Sequence, residues 1–203
     1  MTRRKLNHAC QTGQHPHADR GLDYYPTPPV AVDALLRAET LPPYIWEPAA
    51  GGGAIVRVLR EAGHVVVASE IIHRDFALDF EADFLKTTRV PPRTEMILTN
   101  PPYRYGAEFV EHALELCQRV IMLTRFSFLE SRRRAGILDS GTLAAVHLFS
   151  DRLPMMHRDG WTGPRASSAI PFCWLVWDRN HQGTTTFDRI FWNPDSEFLQ
   201  QQE

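Results

Sequence analysis

A doubly wound α/β domain, in which helices cover both faces of a mostly parallel sheet, is the fold this sequence predicts. The main evidence is that short apolar runs alternate with stretches of helical spacing from Asp23 onward, and one run feeds straight into the glycine turn Gly51-Gly52-Gly53 ahead of a helix. Size agrees, since 203 residues suffice for one compact unit with its own core. In such folds ligands belong at the carboxyl ends of the strands.

Taken in order, residues 1–20 show no hydrophobic period and read as a flexible tail, with 21–203 as a single domain. His8, Cys10, His15 and His17 in that tail fit no standard zinc spacing, so no metal is expected there. Tyr24-Tyr25-Pro26-Thr27-Pro28-Pro29 is an extended, proline-stiffened entry. Val30 to Arg37 has amphipathic helical spacing, and Pro42 and Pro43 stop it. The apolar run Tyr44-Ile45-Trp46 ends in Glu47-Pro48-Ala49-Ala50 and the glycines, and a helix from Ala54 to Ala62 is closed by Gly63. Strands follow at His64–Glu70, Glu95–Asn100 and Arg119–Arg125, with a helix over Ala107–Cys117 between the last two. Two more strands, Leu143–Phe149 and Ile170–Trp177, flank an irregular stretch from Asp151 to Ser168.

Composition narrows the function. With 43% hydrophobic and 23% charged residues the chain is that of an ordinary soluble enzyme, and no apolar run is long enough to span a bilayer. The basic start is followed by polar residues rather than an apolar stretch, so no secretory signal is expected. Cys10, Cys117 and Cys173 are then expected to be reduced thiols in the cytoplasm. A net charge of −2 excludes a histone-like polycation, so any nucleic-acid contact must be a local patch.

Chemistry concentrates at three strand ends. The glycine turn lets backbone approach a nucleotide-like ligand, and Glu70, 19 residues after Gly51, is placed to accept hydrogen bonds from ribose hydroxyls. The alternative for Glu70 is a solvated strand-end acid. Thr99-Asn100-Pro101-Pro102-Tyr103 follows the buried run Met96-Ile97-Leu98. Two prolines stiffen the backbone and remove two donors, which leaves carbonyl acceptors unopposed. The Asn100 side-chain oxygen and the Pro101 carbonyl can both accept from one exocyclic NH₂, while Tyr103 offers a ring for a planar base.

These segments, over about residues 23–105, resemble in their order the S-adenosylmethionine-dependent DNA adenine-N6 methyltransferases, of the gamma-type arrangement in which the cofactor loop precedes Asn-Pro-Pro-Tyr. The resemblance implies a class I, Rossmann-like methyltransferase fold with a C-terminal antiparallel strand. It implies that Thr27 and Pro28, with Tyr25 beside them, contact the methionine end of the cofactor. Glu47-Pro48-Ala49-Ala50-Gly51-Gly52-Gly53 is similar to the family's cofactor loop, with Glu47 facing the methionine moiety and Gly51 and Gly53 as its glycines. Glu70, followed by Ile71, matches the ribose-binding acid. Asp83 and Phe84 resemble the Asp-Phe pair that accepts from the cofactor's adenine amino group and packs on its ring. Asn100, Pro101, Pro102 and Tyr103 match the catalytic tetrapeptide.

Such a pocket cannot reach an amine inside a duplex, so the target must be flipped out or single-stranded. Trp161 is the candidate for the second face of a base sandwich, against the alternative of a Trp packed under a long loop. Arg132, Arg133, Arg158 and Arg165 could line a phosphate track, where the alternative for Arg132 to Arg134 is a solvated face. No large target-recognition domain remains after Phe128, so sequence preference is expected to be weak or short, and affinity to fall steeply with salt. The small size is that of stand-alone enzymes of the kind phages and prophages carry. RNA in place of DNA is the main alternative substrate, because a flipped adenine looks much the same in either polymer. A protein glutamine amide, a small-molecule amine and a non-catalytic partner subunit of a methyltransferase also stay open. The sequence says nothing of oligomeric state.

Overall fold

A computed structural model describes residues 24–155 and 170–192 of the chain. Its strands form one eight-stranded sheet in the order β3-β2-β1-β4-β5-β7-β6-β8. The strands β1 (Tyr44–Glu47), β2 (Val65–Glu70), β3 (Phe80–Glu81), β4 (Met96–Thr99) and β5 (Arg119–Arg125) run parallel. Next to β5 lies β7 (Phe172–Asp178), antiparallel both to it and to β6 (Leu143–Phe149). The doubly wound class read from the sequence is the class observed, with one refinement. The antiparallel strand is not the last, because β8 (Thr186–Ile190) follows it and pairs parallel with β6 at the sheet's edge.

Helices cover both faces, as the alternation predicts. On one face α1 (Pro29–Ala38) buries Ala31, Val32, Ala34 and Leu35, and α2 (Ala54–Glu61) buries Ile55, Val56 and Leu59 in the same cluster. On the other, α3 (Gly106–Leu116) and the single turn α4 (Ala135–Leu138) supply Phe109, Val110, Ala113 and Ile137 to a second cluster around Trp46 and Trp177. Pro29 suits the first turn of α1, where a missing N–H costs nothing. α2 ends in a Schellman closure: Gly63 is left-handed at φ 95°, its N–H bonds the Arg60 carbonyl, and the His64 N–H reaches back to Leu59. The indoles of Trp46, Trp174 and Trp177 are satisfied as well as buried. Trp46 Nε1 donates to Ser69 Oγ at 3.0 Å, Trp174 Nε1 to the Ala31 carbonyl and Trp177 Nε1 to that of Ile137, both at 2.9 Å.

Winding order places the site. The chain starts at β1 in the middle, moves outward through β2 and β3, and then returns to β4 and β5 on the other side. The loops leaving β1 and β4 therefore diverge at the switch point, which opens a crevice at the carboxyl ends of the strands. Both sequence motifs, Glu47–Gly53 and Asn100–Tyr103, leave the sheet there. Among the described residues no helix is long and apolar enough to cross a membrane. The tail residues His8, Cys10, His15 and His17 lie outside the described residues.

At the opposite end of α1 a partly buried ionic cluster ties helix to sheet. Glu39 accepts from Arg119 Nη2 of β5 at 2.6 Å and pairs with His147 Nε2 of β6 at 2.7 Å, with Asp188 of β8 3.8 Å from the other ring nitrogen. Burial opposes the charge on Glu39, but the hydrogen bond and charge of His147 and the Arg119 guanidinium outweigh it and hold the carboxyl below its ordinary 4.5. A depressed carboxyl contributes stability above its unfolded value and loses it as pH falls through the folded one. Glu39→Gln is therefore expected to lower stability by roughly 2 kcal/mol at neutral pH. In thermal melts the difference from wild type should close as the pH drops below 4.5.

Candidate functional site

The glycine loop after β1 is held from two sides. Gly51 N–H donates to Glu70 Oε2 at 2.9 Å, and Glu70 Oε1 accepts from Ile71 N–H at 2.8 Å, so the buried acid at the end of β2 fixes the loop. Gly52 N–H donates to the Tyr24 hydroxyl at 2.9 Å. Gly51 is left-handed at φ 52° and a Cβ there would stand 2.2 Å from the Tyr24 ring. Gly53, at φ 77°, would meet the Phe76 ring equally closely. The absent side chains thus make room for two protein aromatics. The Arg74 guanidinium lies 4.0 Å over the Tyr24 ring and completes the cover.

At the end of β4, Asn100 is oriented by chemistry rather than by choice. Its Nδ2 donates to the Tyr25 carbonyl and to Thr27 Oγ1, both at 3.0 Å. A carbonyl only accepts, so the amide nitrogen must face Tyr25 and Oδ1 must face away. Oδ1 is buried and has no partner among the described residues. The Pro101 carbonyl likewise accepts no hydrogen bond there. Tyr103 opens a 3-10 turn over Tyr103–Tyr105, and its ring stacks on Tyr25 with centroids 5.5 Å apart.

Between these loops lies a cavity of about 540 Å³, the size of a nucleoside cofactor. Of the residues the sequence singled out, Tyr25, Thr27, Pro48, Ala49, Glu70, Ile71, Asp83, Phe84, Asn100, Pro101, Pro102 and Tyr103 all line it. Asp83 caps the turn Phe84–Lys86 by accepting from Leu85 N–H at 3.2 Å, and it pairs with Lys86 at 2.9 Å. Phe84 is anchored by edge contacts with Trp46 and packs on Phe109 at 4.8 Å. Pro28, Gly51 and Gly53 are not in the lining, the two glycines being covered by Tyr24 and Phe76. Arg132 and Arg133 sit on an exposed 3-10 turn away from the cavity, whereas Arg134 stacks on Phe128 at 4.3 Å and is structural. Trp161, Arg158 and Arg165 lie outside the described residues.

Glu47 departs from the expected picture. It is fully buried beneath the cavity rather than in its wall, accepts from Ala49 N–H at 3.2 Å through Oε1, and leaves Oε2 without a partner. Burial pushes its carboxyl up to about 8, against the lowering pull of Thr99 and the Ala49 N–H, with the Glu70 charge adding to the rise. Sequence reasoning missed Tyr24, Arg74, Lys86, Arg104 and Tyr105, all in the cavity wall. Arg104 and Tyr105 directly follow the tetrapeptide, so adjacency was the available signal. Among the described residues no group of three or more His, Cys, Asp or Glu is placed to hold a metal ion.

No family model matches the chain, and no curated protein matches it in sequence. Solved structures do match in fold. A protein of Pyrococcus horikoshii assigned as an RNA methyltransferase superposes with a TM-score of 0.56 at 14% identity, over 81% of this chain and 90% of that one. A modification subunit from Vibrio vulnificus, assigned to a type I restriction enzyme, gives 0.57 at 14% identity over 85% of this chain and 48% of its own length. A dimethyladenosine transferase from Plasmodium falciparum gives 0.51 at 12% identity, over 76% and 63%. The chain thus spans most of the first protein and about half of the second. It has the Rossmann-like fold of class I methyltransferases.

Because the folded state keeps the Glu47 proton that the unfolded chain loses above 4.5, stability falls as pH rises from 4.5 to about 8. Glu47→Gln, which mimics the protonated form, is expected to melt with wild type at the acid end of this window and several degrees above it beyond pH 8.

Proposed function

We propose that this chain transfers a methyl group from S-adenosylmethionine to the N6 amino group of adenine in nucleic acid, with DNA as its substrate and little or short sequence preference. The observation that carries the reading is the amide of Asn100, a residue of the cavity wall, whose nitrogen is committed to Tyr25 and Thr27 and whose buried Oδ1 is left without a partner among the described residues. An unpartnered buried acceptor calls for an N–H donor, and a base amine supplies one.

The cavity's residues fit the cofactor. Glu70 would take the ribose hydroxyls, Asp83 the adenine amine, and Phe84 and Ile71 the ring. Bound S-adenosylmethionine supplies a methyl group that is already electrophilic, so the chain's task is orientation. Asn100 Oδ1 and the Pro101 carbonyl would each hold one N–H of the amine, drawing its lone pair out of conjugation and aiming it toward the cavity. Tyr103 would carry the ring of a base taken out of its stack. We take residues 21–203 as one methyltransferase domain and the first twenty as a tail.

Asn100→Ala is expected to cut transfer by on the order of a hundredfold or more, well beyond its effect on cofactor affinity, since it removes the amine acceptor as well as the tie to Tyr25 and Thr27. Glu70→Ala is expected to weaken cofactor binding, read by calorimetry, since it removes both the ribose acceptor and the brace on Gly51. The deciding experiment offers labelled S-adenosylmethionine with duplex DNA, single-stranded DNA and total RNA in parallel, followed by nucleoside mass analysis. N6-methyladenine in DNA supports the proposal. Label confined to RNA would move the substrate, and label in none of the three would overturn the reading.

A further inference from the structure

A base that stacks on Tyr103 needs a face of its ring, and three neighbours already pack on that ring among the described residues. Tyr25 stacks on it at 5.5 Å, Phe172 packs at 5.8 Å with planes 45° apart, and the Arg125 guanidinium lies over it with Cζ 4.6 Å from the centre. Two of the three are held. The Tyr25 carbonyl accepts from Asn100, and Phe172 is buried at the start of β7. Arg125 is not held. At the last position of β5 and half-buried, its side chain makes no hydrogen bond and no ion pair among the described residues, and its Nε is shielded from solvent with no partner. A guanidinium in that condition keeps five donors in a planar fork and is attached to the ring by a weak, reversible cation-π contact. Arg125 is therefore the neighbour that yields at least cost, and a phosphate is the ligand that best matches the donors it frees.

We propose that Arg125 is a positioning residue with two stations: over Tyr103 while the base site is empty, and on the backbone phosphate of the target nucleotide once a base has taken the ring. The inference rests on the reading of Tyr103 as the base platform. It makes the site favour a nucleotide within a polymer over a free nucleoside, because a base without its phosphate must displace Arg125 and gives the guanidinium no new partner. A cation-π contact that served packing alone would have no such preference.

The test uses the full chain and two fluorescent probes that need no turnover: 2-aminopurine riboside, which has no phosphate, and a short single-stranded oligonucleotide carrying one 2-aminopurine. Arg125→Ala is expected to bind the riboside several-fold more tightly and the oligonucleotide about tenfold more weakly, with the slope of log affinity against log salt smaller by about 1. Arg125→Lys, which keeps the charge but not the plane, is expected to retain the slope. Parallel weakening of both probes in Arg125→Ala, or no change in either, overturns the inference. If wild type methylates nucleic acid while the variants behave in that way, only the role of Arg125 falls. If wild type binds S-adenosylmethionine but binds neither probe and labels no nucleic acid, the proposed function falls with it.

Discussion

Everything at the candidate site hangs on one side-chain amide. Asn100 at the end of β4 joins the sheet to residues 25 and 27, more than seventy positions earlier in the chain, through two hydrogen bonds made in a largely buried setting. Such bonds are worth about 1 kcal/mol each in stability, but their geometric consequence is larger. With residues 25 and 27 fixed, Tyr25 is delivered to the Tyr103 ring, and Tyr24 is carried across Gly51 to where its hydroxyl takes the Gly52 N–H. The entry segment thereby becomes a wall of the cavity, although it belongs to no strand or helix. Pro26 and Pro28 help, since a stiff extended segment loses little conformational freedom when it is laid down.

Two glutamates, Glu39 half-buried and Glu47 fully buried, show how environment rather than residue type sets charge. Glu39 and Glu47 both lose water, yet one carboxyl is held below its ordinary value and the other pushed up to about 8. The difference is company: Glu39 has a guanidinium and an imidazole in contact, whereas Glu47 has an N–H, a nearby hydroxyl and a second acid. The first arrangement is complete and structural. The second is incomplete, with Oε2 left without a partner among the described residues.

Much of this was legible in the sequence because the informative chemistry is short-range. The glycine turn, the acid after β2 and the Asn-Pro-Pro-Tyr corner each declare themselves within a few residues, and with Tyr25, Thr27, Asp83 and Phe84, which the family resemblance added, they bring twelve residues to the cavity wall. What was not legible depends on partners far away in the chain. β8 is polar, with only Ile190 buried, so it has no apolar period to read and exists because β6 offers an edge. β3 is two residues long and follows β2 for the same reason. Arg74 and Arg125 look like ordinary surface cations in the text, and only the fold lays them on Tyr24 and Tyr103. Glu47 was read for its chemistry but not for its depth, since nothing local says that β1 is central.

The position of β7 has a consequence for how the chain comes to be folded. β5 and β6 never pair with each other; each waits for β7, which registers against β5 along seven residues from Arg119 to Arg125 and against β6 from Leu143 to Leu148. During synthesis the apolar middle of β5 therefore has an open edge for the fifty or so residues between its own emergence and that of Asp178. The first five strands can assemble around β1 in that interval, but the half of the sheet that carries Phe172 beneath Tyr103 closes only by insertion of a late strand into a gap. The joining of β5 to β6 through β7 and the completion of the Tyr103 corner are thus the same event, so a nascent chain that has already built its glycine loop has not yet built the corner behind its tetrapeptide.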